Sequence, residues 1–269
     1  MSEEKGGGGK HTATKSRFQS PKHFFPVVVD DFFNDPEMIV DYGKSLQMEP
    51  DQAVRYQPGK RSKNLWEIDK ILNENILLKI MSCYFDLAYM EFTWEASKLQ
   101  FHEIPRFSEN KNDVRNKGWI HQDNETYSAG KDDFELAGLI YLTPDIDPDS
   151  GTSLYNVKST KSNKIYKTIL AKDTLFKDGY FDKEEYTKSY IEHRECFSEK
   201  LRIYNIFNRL IMYDTREWHG ANSYYNGDGK DARLTLGFFI GGISDPPLKR
   251  ITKSEYESVI KLQIENWKI

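Results

Sequence analysis

"NRLIMYDTREWHGA", residues 208–221, opens on an apolar run, turns at polar residues, and resumes at Trp218. The run from Leu210 to Tyr213 has the texture of a strand buried on both faces, and the small pair Gly220-Ala221 lets another backbone approach His219 closely. "SYYNGDGKDA" follows, and its Asn-Gly-Asp-Gly core is a strong turn signal. Then comes "ARLTLGFFIGG", a second apolar strand with Arg233 and Thr235 on one face, because strand side chains alternate. Two strands joined by a hairpin loop, one carrying a histidine and the other a guanidinium, set the frame for the rest.

Working outward, "LQFHEIPRF", "AGLIYLTPD", "GTSLYNV" and "REWHGANS" are further short β-rich runs divided by Asp, Pro, Gly and Asn. Several such strands imply a barrel or a two-sheet sandwich. Residues 21–91 read differently. "FFPVVVDDFF" suggests a strand. "NDPEMIVDYGKSLQ" is a helix with an Asn34/Asp35 cap, Pro36 at its first position, and Met38, Ile39, Tyr42 and Leu46 on one face. Apolar residues at helical spacing from Leu65 to Tyr89 predict two helices or one broken one. Residues 1–20, rich in Gly, Lys, Ser and Thr, read as a disordered tail, and 244–269 as an amphipathic helix. The core is 92–243, with a polar, Lys- and Tyr-rich insert at 156–200, the whole forming one compact domain. The predicted class is mainly β with helical support (α+β).

The 269 residues carry 16 Tyr and 16 Phe, enough bulky material for a sizeable core, and a formal net charge of -4. That charge gives no general field for nucleic acid or an anionic membrane. Cys83 and Cys196 match no zinc or disulfide spacing. No apolar run is long enough to span a bilayer and none resembles a signal peptide, so a cytoplasmic setting is expected.

"GWIHQD", residues 118–123, places His121 and Asp123 two apart, hence on one face of an extended chain. Alone, the pair reads equally as a hydrogen-bonding couple at a strand end. Of the six histidines, His11 is in the tail, His23 precedes the first strand, and His193 lies in the charged "YIEHRE". His102 alternates with Phe101 and Glu103 as a buried or substrate-facing strand residue. His219 is the best third partner. Two imidazoles and one carboxylate form the facial triad of non-haem Fe(II) oxygenases, and the zinc-hydrolase pattern H-E-x-x-H is absent. Arg233 in an apolar strand is costly unless it meets an anion, either an internal carboxylate or a bound one, for which its planar fork is suited.

In order and punctuation, "HQD", "AGLIYLTPDIDPDSGTSLY", "NRLIMYDTREWHGA" and "ARLTLGFF" together resemble the Fe(II)/2-oxoglutarate-dependent dioxygenases, in their prolyl-4-hydroxylase-like branch. The likeness spans about residues 92–242. It implies a double-stranded β-helix, the jelly-roll or cupin-like core. It also implies His121, Asp123 and His219 as iron ligands and as the catalytic centre. Arg233, assisted by Thr235 and with Tyr141 hydrogen-bonded to the same group, would hold the distal carboxylate of 2-oxoglutarate. The cofactors implied are Fe(II), 2-oxoglutarate and O2, with ascorbate as a candidate reductant, and the products succinate and CO2 alongside a hydroxylated small-molecule or peptidyl substrate. The sequence departs from the family pattern in three places: Tyr-Leu-Thr replaces Tyr-Leu-Asn, Gly151 stands alone where two glycines are usual, and the His219–Arg233 interval is long. A looser likeness to phage-type members makes Tyr56, Arg61 and Trp66 substrate-side candidates, a charged surface loop explaining them equally. Two other classes remain: a catalytically silent jelly-roll binding module, and a cupin-type metalloenzyme that does not use 2-oxoglutarate. Neither substrate nor oligomeric state is legible.

Overall fold

The computed structural model describes residues 24–50, 59–85, 87, 94, 96–123, 134–158, 164–165, 167–168, 182–227, 229 and 232–243. The expected N-terminal tail, the C-terminal helix and Tyr56 lie outside the described residues. Among the described residues, ten strands and four main helices carry the fold. Val27–Val29 is β1 and Pro36–Ser45 is α1. Glu49–Pro50 and Lys60–Arg61 are β2 and β3. Leu65–Ile68 and Lys70–Ser82 are α2 and α3, broken at Asp69, whose side chain caps α3 through the Leu72 amide. The core strands are β4 Ala96–Pro105, β5 Phe134–Tyr141, β6 Thr152–Val157, β7 Phe197–Ile203, β8 Leu210–Asp214, β9 Trp218–Ala221 and β10 Ala232–Gly241. Lys183–Arg194 is α4. No helix among the described residues is long and apolar enough to cross a membrane.

The strands form two antiparallel sheets. The larger runs β1-β8-β5-β10-β4-β3-β2 and the smaller β7-β6-β9. The segment at 118–121 completes the smaller sheet against β9, through Gly118 N–H to Ala221 O and a bridge between His121 and His219. Counting β4, this segment and β5 to β10 in chain order, the first, third, sixth and eighth share one sheet. The second, fourth, fifth and seventh share the other. That alternation is a double-stranded β-helix, so the fold is mainly β with helices outside it.

Alternation sorts each strand of the large sheet between two cores. Leu136 and Ile140 of β5, Leu210 and Met212 of β8, and Leu234, Leu236, Phe238 and Ile240 of β10 face outward. There they meet Ile39 and Val40 of α1 and Ile76, Leu77, Ile80 and Met81 of α3. Ala137, Tyr141, Ile211 and Tyr213 face inward, toward Leu154 and Ile203 of the small sheet. The helices thus cover one face of the large sheet and leave the other to the space between the sheets.

Two expectations change in detail. On α1, Asp35 caps the helix through the Met38 amide as expected, but the buried positions are Ile39, Val40 and Gly43, while Met38 is exposed. The buried face is rotated by about one residue from the expected one, and this sets Gly43, which lets Phe101 close, against the sheet. The second is β7, which begins inside the segment read as an insert. Its burial alternates poorly, with Ser198 to Arg202 exposed and only Phe197 and Ile203 buried, so no period-2 signal marked it.

Asp214 at the end of β8 fixes the N-terminal segment. Its fully buried carboxylate accepts from the amides of Phe24 and Arg216 and from the Arg216 guanidinium. Burial works to raise its pKa, but the Arg216 bonds and the Phe24 amide prevail and hold it below the ordinary carboxylate value. A carboxylate depressed in the folded state stabilises fully above its unfolded value of about 3.9, and that contribution fades as pH falls through the lower folded value. Asp214→Asn, which cannot accept from every donor, is expected to cost about 2 kcal/mol at neutral pH. Urea unfolding should show that deficit at pH 7 and a shrinking one below pH about 4.

Candidate metal centre

The centre is built on one antiparallel contact. His121 N–H donates to His219 O and His219 N–H to His121 O, both at 2.9 Å. Gly220 makes this approach possible, because a Cβ there would sit 3.0 Å from the Trp119 carbonyl oxygen. Asp123 follows at the end of the segment, its amide bonded to Thr215 O at 3.0 Å. Three residues from two distant parts of the chain are thereby fixed by backbone rather than by side-chain packing.

Their side chains converge. His121 Nε2 lies 3.6 Å from Asp123 Oδ1, and His219 Nε2 lies 3.4 Å from Asp123 Oδ2. One ligand atom from each of the three lies within 4.8 Å of the others. Two donors about 2.1 Å from one cation and at right angles are about 3 Å apart, a spacing to which the two carboxylate–imidazole pairs already come close. The tautomers suit the purpose as well. His121 Nδ1–H points to Trp119 O at 3.0 Å and His219 Nδ1–H to Glu217 O at 2.9 Å. Such backbone bonds leave each Nε2 lone pair facing the centre.

Electrostatics favour the metal-ready forms. Burial lowers the pKa of His219, partly opposed by Asp123, which keeps the ring neutral. Burial would raise Asp123, but His219, His121 and Arg61 outweigh it and keep it ionised. Side-chain exposure falls from 36% at His121 to 14% at Asp123 and 6% at His219, so the centre opens on the His121 side. Tyr213, its ring centroid 4.6 Å from that of His219, closes the inner side.

The second group lies deeper between the sheets. Arg233 is 3% exposed, and no carboxylate among the described residues pairs with it. Its Nη1 donates to the carbonyls of Ser150 and Ser223, its guanidinium lies 5.7 Å from the Tyr224 ring centroid, and its Nε has no partner. Burial lowers its pKa, as expected of a cation without a counter-ion. Thr235 Oγ1 and Ser153 Oγ are also buried without partners. Tyr141, cross-strand from Thr235, is buried and donates its hydroxyl to Thr152 Oγ1 at 2.9 Å. All six candidate residues thus face the interval between the sheets, with His121, Asp123 and His219 in one cluster and Arg233, Thr235 and Tyr141 in another. Trp66 stands apart on α2, half exposed under Lys70.

Sequence reasoning passed over one supporting residue. His193 reads as part of a charged helix, yet it is fully buried, with Nε2 2.7 Å from Ile120 O and Nδ1 2.8 Å from Thr168 Oγ1. The signal was its helical phase: Tyr186, Tyr190 and His193 share one face of α4, and all three rings lie against Trp119.

Among curated protein sequences, none matches this chain. Solved structures with a similar course of chain include a prolyl hydroxylase from Trichoplax adhaerens in complex with a hypoxia inducible factor oxygen degradation domain peptide fragment. It is 14% identical, with 81% of this chain and 83% of that one covered, at a TM-score of 0.45. HygX from Streptomyces hygroscopicus, with nickel and 2-oxoglutarate bound, is 12% identical over 83% of this chain and 92% of its own, again at 0.45. A Pseudomonas putida prolyl-4-hydroxylase is 10% identical over 80% and 91%, at 0.43. One family model matches residues 14–240, and the chain therefore belongs to DUF6445, a family of unknown function.

Proposed function

We propose that this protein is an Fe(II)- and 2-oxoglutarate-dependent oxygenase that hydroxylates a small-molecule or peptidyl substrate. The observation that carries the reading is the pairing of a two-histidine, one-carboxylate cluster with a buried, carboxylate-free guanidinium on the same inner surface. An internal salt bridge would have explained Arg233, but none is present among the described residues. The orphaned Nε of Arg233 and hydroxyl of Thr235 instead fit the far carboxylate of a dicarboxylic acid.

The donor set suits iron, with two neutral imidazoles and one carboxylate on one side of the ion and the other side left to small ligands. When bound, the iron supplies O2 activation coupled to oxidative decarboxylation of 2-oxoglutarate. The chain's own residues bind and orient. His121, Asp123 and His219 hold the cation, Arg233 and Thr235 grip the diacid, and Tyr141 supports that grip through Thr152 while shielding it from water. Tyr213 and Leu154 exclude solvent from the inner side, and the exposed edge at His121 admits the substrate. Ascorbate would serve only to keep iron reduced.

Purified protein given Fe(II), ascorbate and 2-oxoglutarate is expected to form succinate slowly without any substrate. His121→Ala and Asp123→Ala should give no succinate above a metal-free blank. Succinate at the wild-type rate from either variant would remove the triad from the reaction. Arg233→Gln should leave Mn(II) binding intact and weaken 2-oxoglutarate about hundredfold, since a buried charge loses its partner. Unchanged 2-oxoglutarate affinity, measured calorimetrically on the Mn(II)-loaded protein, would take Arg233 out of the cosubstrate site.

A further inference from the structure

The loop between β9 and β10 folds inward at its start, where Ser223, Tyr225 and Asn226 are buried. Its neighbours pin it closely. Asn222 N–H donates to Gly151 O at 2.8 Å, Tyr224 N–H to Asn116 O, and Asn226 Nδ2 to Ile104 O at 3.3 Å. The Asp147 amide and the Arg106 guanidinium donate in turn to Asn226 O and Gly227 O. Asn116 is itself fixed, its buried side chain bonded to the backbone of Phe107, Ser108 and Asn110. Residues 222–227 are thus held to three other parts of the chain, although no strand includes them.

This loop supplies much of what surrounds Arg233. Ser223 O accepts from its Nη1 at 3.3 Å, as Ser150 O also does. The guanidinium carbon lies 5.7 Å from the Tyr224 ring centroid, within range of a cation–π contact. Phe107 meets the same ring edge to face at 5.6 Å, so the ring has a fixed neighbour besides the cation. Burial raises the Tyr224 pKa and Arg233 opposes the rise, so near neutrality the phenol is uncharged. All three supports of the guanidinium are therefore neutral: two carbonyls and one aromatic face. Neutral supports fix the pose of a cation and leave its charge for an anion that comes later, whereas a carboxylate support would cancel it. Two of the three come from Ser223 and Tyr224, consecutive residues of the loop.

We propose that Tyr224 is a positioning residue for the diacid: its ring face holds the Arg233 guanidinium in the pose that receives the far carboxylate. The inference rests on the oxygenase reading above and adds to it a residue that acts through Arg233. An aliphatic side chain at 224 would leave the cation with its two carbonyls and a less defined pose. The guanidinium would then lose, on binding the diacid, freedom that the wild type has already given up.

Calorimetric titration of the Mn(II)-loaded protein compares 2-oxoglutarate with 2-oxopentanoate, which has the same 2-oxo acid end and chain length but no far carboxylate. Wild type should prefer 2-oxoglutarate about hundredfold. Tyr224→Leu should reduce that preference about tenfold, the worth of a desolvated cation–π contact, with 2-oxopentanoate affinity unchanged. Tyr224→Met carries the same expectation should the branched chain unfold the loop. Tyr224→Phe, which keeps the ring, should restore the preference. In an Arg233→Gln background Tyr224→Leu should cost nothing further, because its effect passes through the guanidinium. A loosened fold would instead weaken both acids alike and add to the Arg233→Gln loss. Full preference in Tyr224→Leu, the same loss in Tyr224→Phe, or an equal loss for both acids overturns the assignment and leaves the oxygenase reading standing. A wild type that binds the two acids equally, or binds no Mn(II), brings down the oxygenase reading and this inference with it.

Discussion

Two backbone hydrogen bonds between His121 and His219 hold the candidate metal centre together, and most other features can be read as protecting them. Imidazoles on long loops would lose side-chain and backbone freedom on binding a cation, at a cost of the order of 1–2 kcal/mol per residue ordered. Here the ordering is done by the sheet before any ion arrives. Gly220 admits the partner strand, the carbonyls of Trp119 and Glu217 orient the rings, and Thr215 O anchors the peptide of Asp123. Each of these groups belongs to the backbone, so the centre is insensitive to the identity of most side chains around it.

That dependence explains which parts of the fold were legible in the sequence. The strands β5, β6, β8, β9 and β10 announce themselves because both faces are buried or because Gly and Pro punctuate them. The two helices at α2 and α3 follow from apolar spacing, with Asn64 and Asp69 capping them. β7 did not announce itself, since five of its seven residues are exposed and the strand is held by its ladder to β6. The triad was legible because His121 and Asp123 are two apart and His219 lies beside small residues. What no local pattern carries is the cross-strand row Arg61, His102, Thr235 and Tyr141: its successive members are 41, 133 and 94 positions apart in sequence, they come from four separate strands, and only register aligns them.

The same logic bears on Arg233. Enclosing an ionised group with only two carbonyl acceptors costs several kcal/mol, and folding alone offers no return for it. An apolar residue at that position would pack against Tyr224 without that cost. A chain that keeps the charge there, next to unpartnered hydroxyls on Thr235 and Ser153, has a surface organised for something that arrives after folding. In the proposed reading the triad and the guanidinium are two halves of one requirement: a cation at one end of the interval and an anion receptor at the other.

The helix α4 ties the outer layer to this interval. His193 lies under the Ile120 carbonyl while its ring packs between Trp119 and Phe197, and Tyr186 accepts from the Trp119 indole N–H. Trp119 and Ile120 are the two residues before His121, and the Trp119 carbonyl orients the His121 ring. A displacement of α4 by a fraction of an ångström would therefore reach the His121 ring through a single peptide unit. The opposite face of the helix, with Lys183, Glu184 and Lys188, touches none of these groups. The buried face of α4 is consequently constrained by the candidate metal centre, and its charged face is left to water.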